Sequence, residues 1–246
     1  MYTIDLNCDM GEGLNNDAFL MPYISSANIA CGYHAGDEAI MKRTIELALF
    51  HSVAIGAHPG FADKANFGRT EMQLSPTEIY DLIAQQIHLL QKAAEGFGAK
   101  LQHVKPHGAL YNMSAKDPVV ANTIAKAVYD IDPRFILFGL SGSRSISEAH
   151  AVGLPTASES FADRTYQDDG SLTPRNLANA LIASDEKCVQ QILQMIEQKI
   201  VESVNGKLVP IKAETICIHG DGQHAVSFAA YIYKTLQQKN IGIKSI

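Results

Sequence analysis

IDLNCDMGEG, residues 4–13, is the stretch on which our interpretation of the chain rests. Its apolar side chains alternate with Asp5, Asn7 and Asp9, which is the period of two expected of a strand with one apolar and one polar face. Buried carboxylates are costly unless they are paired, hydrogen-bonded or bound to a ligand. The stretch is therefore either a solvated edge strand followed by a turn, or a strand whose acids line a pocket. The rest of the chain favours the pocket.

Strand patterns and helix patterns alternate about seven times along the chain, and no Pro/Gly/Ser-rich linker divides them. VAIGA at residues 53–57 and FILFGL at residues 135–140 are typical buried strands. Repeated βα units of this kind predict a parallel sheet, open or closed into a barrel, that is covered by helices. We expect residues 1–246 to form one α/β domain.

Capping signals locate several of the helices. Residues 75–78 read SPTE, a capping box with proline at the first helical position, and predict a helix over residues 76–95. Asp37 is placed to cap another helix, over residues 38–50. Towards the C-terminus the pattern predicts a helix over residues 185–204.

The composition excludes several classes of function. The net charge is −6, and lysine and arginine form no cluster of the kind that binds nucleic acid. No apolar run approaches the roughly 18 residues of a membrane span, and no secretory leader pattern is present. The four cysteines show neither a CxxC pair nor the spacing of a disulfide framework. We therefore expect a cytoplasmic protein with no nucleic-acid and no membrane partner.

Titratable side chains follow nearly every predicted strand. The C-terminal ends of parallel strands form one rim in α/β architectures, so residues far apart in the sequence meet there. These clusters hold more histidine and acid than turns ordinarily use. The predicted rim consists of Asp9, Glu12, His34, Asp37, His58, Lys105, His107, Asp163, Arg164, His219 and Asp221.

Two pairs in this rim have side chains that can bind a divalent metal. His34 with Asp37, or His219 with Asp221, would supply nitrogen and oxygen ligands, with Asp5 or Asp9 completing the set. Neither spacing is a defined metal signature, and hydrogen-bonded acid–base pairs explain both better. We therefore assign no metal ligand and leave a divalent metal as an open alternative.

Lys105 and His107 flank a proline at a strand exit. They suit anion binding with proton transfer, or simply a rigid strand exit; the first is favoured because Arg164 and Arg175 follow other strands. Tyr111, in the next turn, is either a site residue or a packing residue. No GxxxxGK[ST] pattern occurs, so the chain has no Walker-type ATP site.

Six motifs occur in order along nearly the whole chain. They are DLNCDMGEG at 5–13, SANIACGYHAGD at 26–37, AHPGF at 57–61, VKPHGALYN at 104–112, FADRTYQDDGSLTPR at 161–175 and HGDG at 219–222. As a set they resemble the LamB/YcsF family. The resemblance implies a seven-stranded parallel β/α barrel of the glycoside hydrolase/deacetylase type. It also implies the A subunit of an ATP-dependent 5-oxoprolinase, which cleaves 5-oxoproline to L-glutamate.

That activity implies subunits B and C as partners and ATP as a co-substrate, which the partner subunits could bind. A lactam is a stable amide, so phosphorylation of its oxygen would make the ring carbon a good electrophile. The site then needs a general base for water, cations or amides for the phosphoryl oxygens, and a partner for the substrate carboxylate.

These requirements suggest a role for each of several residues. Asp9 or Asp37, with His34, would activate water, and Lys105 and His107 would stabilise the developing charge. A guanidinium can bind carboxylate or phosphate through two hydrogen bonds. The candidate catalytic residues are Asp9, His34, Asp37, Lys105 and His107. The candidate substrate-binding residues are Asn7, Asn28, His58, Tyr111, Glu159, Arg164, Arg175, His219 and Asp221.

Two other classes of function stay open from the residues. A stand-alone metal-dependent hydrolase, such as a carbohydrate deacetylase, would use a rim of the same kind. A non-catalytic, lactam-binding subunit would leave all the chemistry to its partners, although so small a ligand hardly needs this many titratable groups.

Overall fold

The computed structural model describes residues 2–220 and 224–246, and its centre is a closed barrel of parallel strands. The strands are β1 (Thr3–Met10), β2 (Ser26–Ala30), β3 (Ala54–His58), β4 (His103–Val104), β5 (Ile136–Leu140), β6 (Thr156–Phe161), β7 (Ile200–Glu202), β8 (Leu208–Pro210), β9 (Thr215–Cys217) and β10 (Gly242–Ile243). Strands β1 to β6 and β9 form the barrel, which closes because β9 pairs with both β6 and β1. The expectation of a seven-stranded parallel β/α barrel is confirmed.

Helices cover the outside of the barrel. They are α1 (Asp17–Leu20), α2 (Glu38–Phe50), α3 (Pro76–Glu95), α4 (Gly108–Lys116), α5 (Pro118–Ile131), α6 (Arg144–Ala151), α7 (Asp185–Leu193) and α8 (Ala225–Gln238). The capping box at Ser75 is present and starts α3 at the predicted residue. Asp37 caps α2, its side chain accepting a hydrogen bond from the backbone N–H of Ile40.

Strand β1 places its two faces in two different environments. Its apolar side chains, such as Leu6 and Met10, pack outward in the main hydrophobic core. Its polar side chains point into the barrel, where Asp5 is 1% exposed and Asn7 is fully buried. The interpretation as a solvated edge strand is therefore wrong. Asp5 accepts hydrogen bonds from three hydroxyl groups, those of Ser25, Ser26 and Thr215, which satisfies a buried carboxylate.

The helix predicted over residues 185–204 is too long. Helix α7 ends at Leu193, and a π-helical turn carries the chain to Gln198. Lys199 then has a φ of 59°, a left-handed conformation that stops a helix. Strands β7 and β8 follow as an antiparallel hairpin. Val201 packs there in a small separate core with Tyr166 and Met195, so tertiary burial decided the conformation of a segment with mixed propensity.

None of the helices among the described residues combines the length and the apolar character needed to cross a membrane. The four cysteines are buried free thiols, as their spacing predicted.

Candidate active site

A cavity of about 240 Å³ opens at the C-terminal ends of the barrel strands. This is the rim on which the sequence placed its candidate residues, and the barrel brings most of them together. The predicted site residues that line the cavity are Asp9, His58, Lys105, His107, Tyr111, Arg164, Arg175 and His219.

Lys105 forms the floor of the cavity. Its Nζ lies 2.9 Å from Asp9 Oδ1 and 2.8 Å from Glu159 Oε1, and its side chain is only 3% exposed. It also donates a hydrogen bond to Asn7 Oδ1 at 3.1 Å. Burial alone would lower the pKa of this ammonium group, but Asp9, Cys217 and Glu159 raise the pKa well above its usual value. Lys105 is therefore charged at neutral pH.

Beneath Lys105, amide groups connect the two carboxylates. Asn7 Nδ2 donates to Glu159 Oε1 at 2.9 Å, and Asn28 Nδ2 donates to Asp9 Oδ1 at 2.9 Å and to Asn7 Oδ1 at 2.8 Å. Asn7, Asn28 and Glu159 were predicted to bind substrate. The structure places all three in the barrel interior, where their polar atoms contact Lys105, Asp9 and one another.

Of the two carboxylates in this network, Asp9 is the one that lines the cavity. Its side chain is 17% exposed, and its Oδ2 lies 3.2 Å from His58 Nε2. Burial would raise the pKa of the Asp9 carboxyl group, but His58 and Lys105 hold the pKa well below its usual range. Asp9 is therefore an ionised carboxylate with one edge facing the cavity.

Three histidines and Glu12 form a second cluster beside Asp9. His58 Nε2 lies 2.8 Å from His107 Nδ1. Glu12 Oε1 lies 3.4 Å from His34 Nε2, 3.5 Å from His107 Nδ1 and 4.0 Å from His58 Nε2. The rings of His34 and His107 stack with centroids 3.8 Å apart. Burial and the neighbouring histidine His58 lower the pKa of His107 to about 3, so this ring is neutral.

Among the residues that the structure describes, this is the cluster whose side chains could bind a metal ion. The ligand atoms of Glu12, His34, His58 and His107 all lie within 4.8 Å of one another. The two pairs that the sequence suggested as metal ligands, His34 with Asp37 and His219 with Asp221, do not form such a cluster. Asp37 is committed to capping α2, and the described partners of His219 are Asp163 and Arg175.

The mouth of the cavity is positively charged. Arg175 Nη2 donates to His219 Nε2 at 2.7 Å, and His219 Nδ1 donates to Asp163 Oδ1 at 2.7 Å. Arg164 is buried, and its guanidinium donates to the backbone carbonyls of Thr173 and Ala180. These contacts fix both guanidinium groups at the edge of the cavity, where they can meet an anion.

The remaining predicted residues lie elsewhere. His34 is buried behind the cavity in the histidine cluster. Asp37 is exposed at the start of α2, so its position does not support a role in activating water. Tyr111 lines the cavity and packs edge-on against Phe161, with ring centroids 5.9 Å apart. Asp221 lies outside the described residues.

Glu12 and Asp163 belong to the site, although neither was assigned a role from the sequence. Both stood in the predicted rim, and the flanking Gly11 and Gly13 were the available signal for Glu12, because they allow a tight turn there. Gly11 has a φ of 71° and Gly13 a φ of 85°, so the turn does use the left-handed region. The sequence showed no partner for Asp163, and only the barrel shows that it pairs with His219.

Gly68 holds two of the histidines in place, and we predict that Gly68→Ala destabilises the protein. Its φ is +62°, and an added Cβ would lie 2.8 Å from His34 Cβ and 3.1 Å from His107 Cδ2. Gly98 is a matched control, because its φ is +65° with no atom within 4 Å of an added Cβ. We expect Gly98→Ala to lower the free energy of unfolding by about 1–2 kcal/mol through backbone strain alone. Urea unfolding should show a larger loss for Gly68→Ala, and equal losses would contradict the proposed contact.

Comparison with known proteins identifies the family. The family model described as LamB/YcsF matches residues 4–246. The chain belongs to the LamB/YcsF family. This LamB/YcsF chain is 52% identical to the A subunit of 5-oxoprolinase from Tolumonas auensis, and the match covers 100% of both proteins.

Solved structures agree with this assignment. The Lactam Utilization Protein from Thermus thermophilus superposes on the LamB/YcsF chain with a TM-score of 0.94 at 37% identity, covering 99% of this chain and 100% of that one. A family 4 carbohydrate esterase from Streptomyces lividans has a TM-score of 0.50 at 13% identity, covering 100% of this chain and 93% of the esterase. The second likeness concerns the fold alone, and it confirms the expected deacetylase-like barrel.

Proposed function

We propose that this chain is the A subunit of an ATP-dependent 5-oxoprolinase and that its cavity is where the lactam ring opens. The observation that carries the proposal is the full-length similarity to the corresponding 5-oxoprolinase chain of Tolumonas auensis. The name of the Thermus relative, a lactam utilization protein, points to the same substrate class. A small, charged cavity at the strand ends suits a small cyclic amide that carries a carboxylate.

The chemistry requires an activated lactam. Transfer of the γ-phosphoryl group of ATP to the lactam oxygen forms an O–P bond and releases ADP. A first water then adds to the ring carbon, the C–N bond breaks and the nitrogen takes a proton, which leaves the γ-carboxyl group of glutamate as an acyl phosphate. A second water hydrolyses this acyl phosphate and releases phosphate. The products are glutamate, ADP and phosphate.

Asp9 and Lys105 carry this step in our proposal. Asp9 is ionised and partly exposed to the cavity, so it accepts a proton from the attacking water. The charged Lys105 stabilises the negative charge that develops on the phosphorylated lactam. His58, 3.2 Å from Asp9 Oδ2, positions the carboxylate.

His107 has a different place from the one that the sequence favoured. Its Nε2 donates to the carbonyl of Phe67 at 2.9 Å, and its Nδ1 faces His58 Nε2. Both ring nitrogens are thus engaged within the protein, so we assign His107 to the support of His58 and leave charge stabilisation to Lys105.

Arg175 and Arg164 bind the substrate carboxylate or the phosphoryl group in this proposal. We expect Arg175→Ala to raise the KM for 5-oxoproline by roughly 10- to 100-fold, the usual worth of a hydrogen bond to a charged group, with a smaller change in kcat. Steady-state kinetics of the assembled enzyme measures both constants. Arg134→Ala is the control, because Arg134 is exposed and paired with Asp132 away from the cavity. An unchanged KM in Arg175→Ala would remove this residue from substrate binding.

The finer parts of the proposal concern ATP, partners and location. The names of the relatives designate one lettered component of 5-oxoprolinase, which indicates a multi-subunit enzyme. We propose subunits B and C as partners and as the site of ATP binding. We place the complex in the cytoplasm, where ATP is available and the four buried cysteines would stay reduced.

The decisive experiment measures glutamate and ADP released from 5-oxoproline and ATP. The chain alone is compared with the chain plus the B and C subunits from the same organism. Release only by the mixture supports the proposal. Release by the chain alone without ATP would support a stand-alone hydrolase. An inactive mixture of folded subunits would overturn the substrate assignment.

A further inference from the structure

The hydrogen bonds of His58 and His107 leave one ring nitrogen of each facing the other. His58 Nδ1 lies 2.7 Å from the carbonyl oxygen of Lys105, so it must donate. His107 Nε2 lies 2.9 Å from the carbonyl oxygen of Phe67, so it must donate as well. If both imidazoles are neutral, each has one N–H, and His58 Nε2 is then an acceptor that faces two other acceptors, His107 Nδ1 at 2.8 Å and Asp9 Oδ2 at 3.2 Å. Such a contact is repulsive unless a proton or a cation lies between the two rings.

The surroundings of His34 favour a cation over a proton. It is 1% exposed, and neither of its ring nitrogens has a hydrogen-bond partner among the described residues. A buried, unpartnered polar atom costs free energy. One extra proton would satisfy the pair of His58 and His107 and leave His34 as it is. One cation within the cluster would bind His58 and His107, and it would bind His34 as well once that ring turns out of its parallel stack on His107.

The distances fit a small transition-metal ion. A tetrahedral site with metal–nitrogen bonds of about 2.0–2.1 Å has its ligand atoms about 3.3 Å apart. The separations in the cluster are 2.8 Å between His58 Nε2 and His107 Nδ1, then 3.4, 3.5 and 4.0 Å from Glu12 Oε1 to the three histidines. These four separations lie on both sides of that value, and all the ligand atoms of the cluster lie within 4.8 Å of one another, so a bound ion would draw them slightly together.

The ring nitrogens of His58 and His107 that face away from the cluster also make the hydrogen bonds expected of metal-binding histidines. Histidines that bind metals donate their other ring N–H to a backbone carbonyl or a carboxylate, which fixes the tautomer. His58 does so to Lys105 and His107 does so to Phe67. Three imidazoles and one carboxylate suit Zn²⁺ and its first-row neighbours, whereas Mg²⁺ prefers oxygen ligands.

We propose that His34, His58, His107 and Glu12 form a binding site for one divalent transition-metal ion at the wall of the cavity. The site lies beside Asp9, which contacts His58. A cation there would place a Lewis acid next to the carboxylate and the ammonium group that we assign to the reaction. The proposal concerns metal binding by the chain itself and does not depend on the identity of the substrate.

The test is metal binding by the purified full-length chain. The protein is stripped with a chelator and titrated with Zn²⁺, Co²⁺ or Mg²⁺ by calorimetry, and the Co²⁺ form is examined for the visible absorption of a four-coordinate site. We expect one Zn²⁺ or Co²⁺ per chain, no comparable Mg²⁺ binding, and a rise in Tm with Zn²⁺ because a ligand of the folded state stabilises it.

Two variants and a control make the result specific. His34→Ala removes a buried ring that has no hydrogen-bond partner among the described residues, and Glu12→Gln keeps the side-chain shape, so it tests the site even if the cavity left by His34→Ala destabilises the fold. Each should weaken Zn²⁺ binding by at least about tenfold, since even outer contacts of metal ligands are worth that much. His88→Ala, at an exposed histidine on α3, should bind like the parent chain. Absence of stoichiometric binding, or parent-like binding in both variants, would overturn the proposal in favour of a protonated His58–His107 pair.

Discussion

Lys105→Met is expected to remove nearly all turnover of the assembled enzyme and to lower the free energy of unfolding of this chain by about 3–5 kcal/mol. Methionine roughly keeps the volume but removes the charge, which leaves the carboxylates of Asp9 and Glu159 without their shared ammonium group. Breaking a buried ion pair costs more than its net worth, because the remaining charge stays buried. Turnover should fall at least about 10²-fold, since the cation that stabilises the developing charge is gone.

Two measurements separate these effects for Lys105. Urea unfolding reports stability, and glutamate release per folded molecule reports chemistry. Lys92→Met, at an exposed lysine on α3, is the matched control and should change neither quantity appreciably. A large loss of stability with parent-like turnover of the folded fraction would mean that Lys105 serves only the barrel interior.

Asp9→Asn is expected to lower turnover by about 10² to 10⁴-fold while the fold is retained. Asparagine has nearly the shape of aspartate. Its Oδ1 can still accept from Asn28, and its Nδ2 would take the place of Oδ2, which lies 3.2 Å from His58 Nε2. The substitution therefore removes the base and leaves most of the geometry. The measurement is kcat for glutamate release at saturating 5-oxoproline and ATP.

Asp5→Asn is the control for Asp9→Asn. Asp5 lies on the same inward face of β1, but its partners are the hydroxyl groups of Ser25, Ser26 and Thr215 at the other end of the barrel. We expect it to affect stability and to leave kcat nearly unchanged. A parent-like kcat in Asp9→Asn, or an equal loss in Asp5→Asn, would show that Asp9 is not the base.

Much of the fold could be predicted from the sequence because its signals are local. The capping box at Ser75 and the cap at Asp37 start α3 and α2 at the expected residues, since these side chains bond to backbone groups only three positions away. The segment after α7 was mispredicted for the opposite reason. Its helical pattern was overruled by Lys199 in a left-handed conformation and by the packing of Val201 in a distant small core.

The sequence predicted which residues gather at the strand ends better than it predicted which of them contact one another. Strand ends of a parallel barrel meet on one side, so the order of the motifs was enough to bring Asp9, Lys105 and His219 to one cavity. The sequence offered Asp37 both as a helix cap and as a site residue, and only the structure shows that the capping position leaves Asp37 outside the cavity and that Glu12 lies beside His34 instead.

The sequence by itself determined the alternation of strands and helices, the family, and the residue types available at the rim, because these depend on local pattern and on motifs read along the chain. Only the tertiary structure decided which polar side chains are buried supports and which face the cavity. Barrel closure turns the polar face of β1 inward, so Asn7 and Glu159 meet Lys105 in the interior while Asp9 reaches the opening. Those partners are 98 and 54 residues apart in sequence from Lys105, and no local rule pairs groups at such a separation.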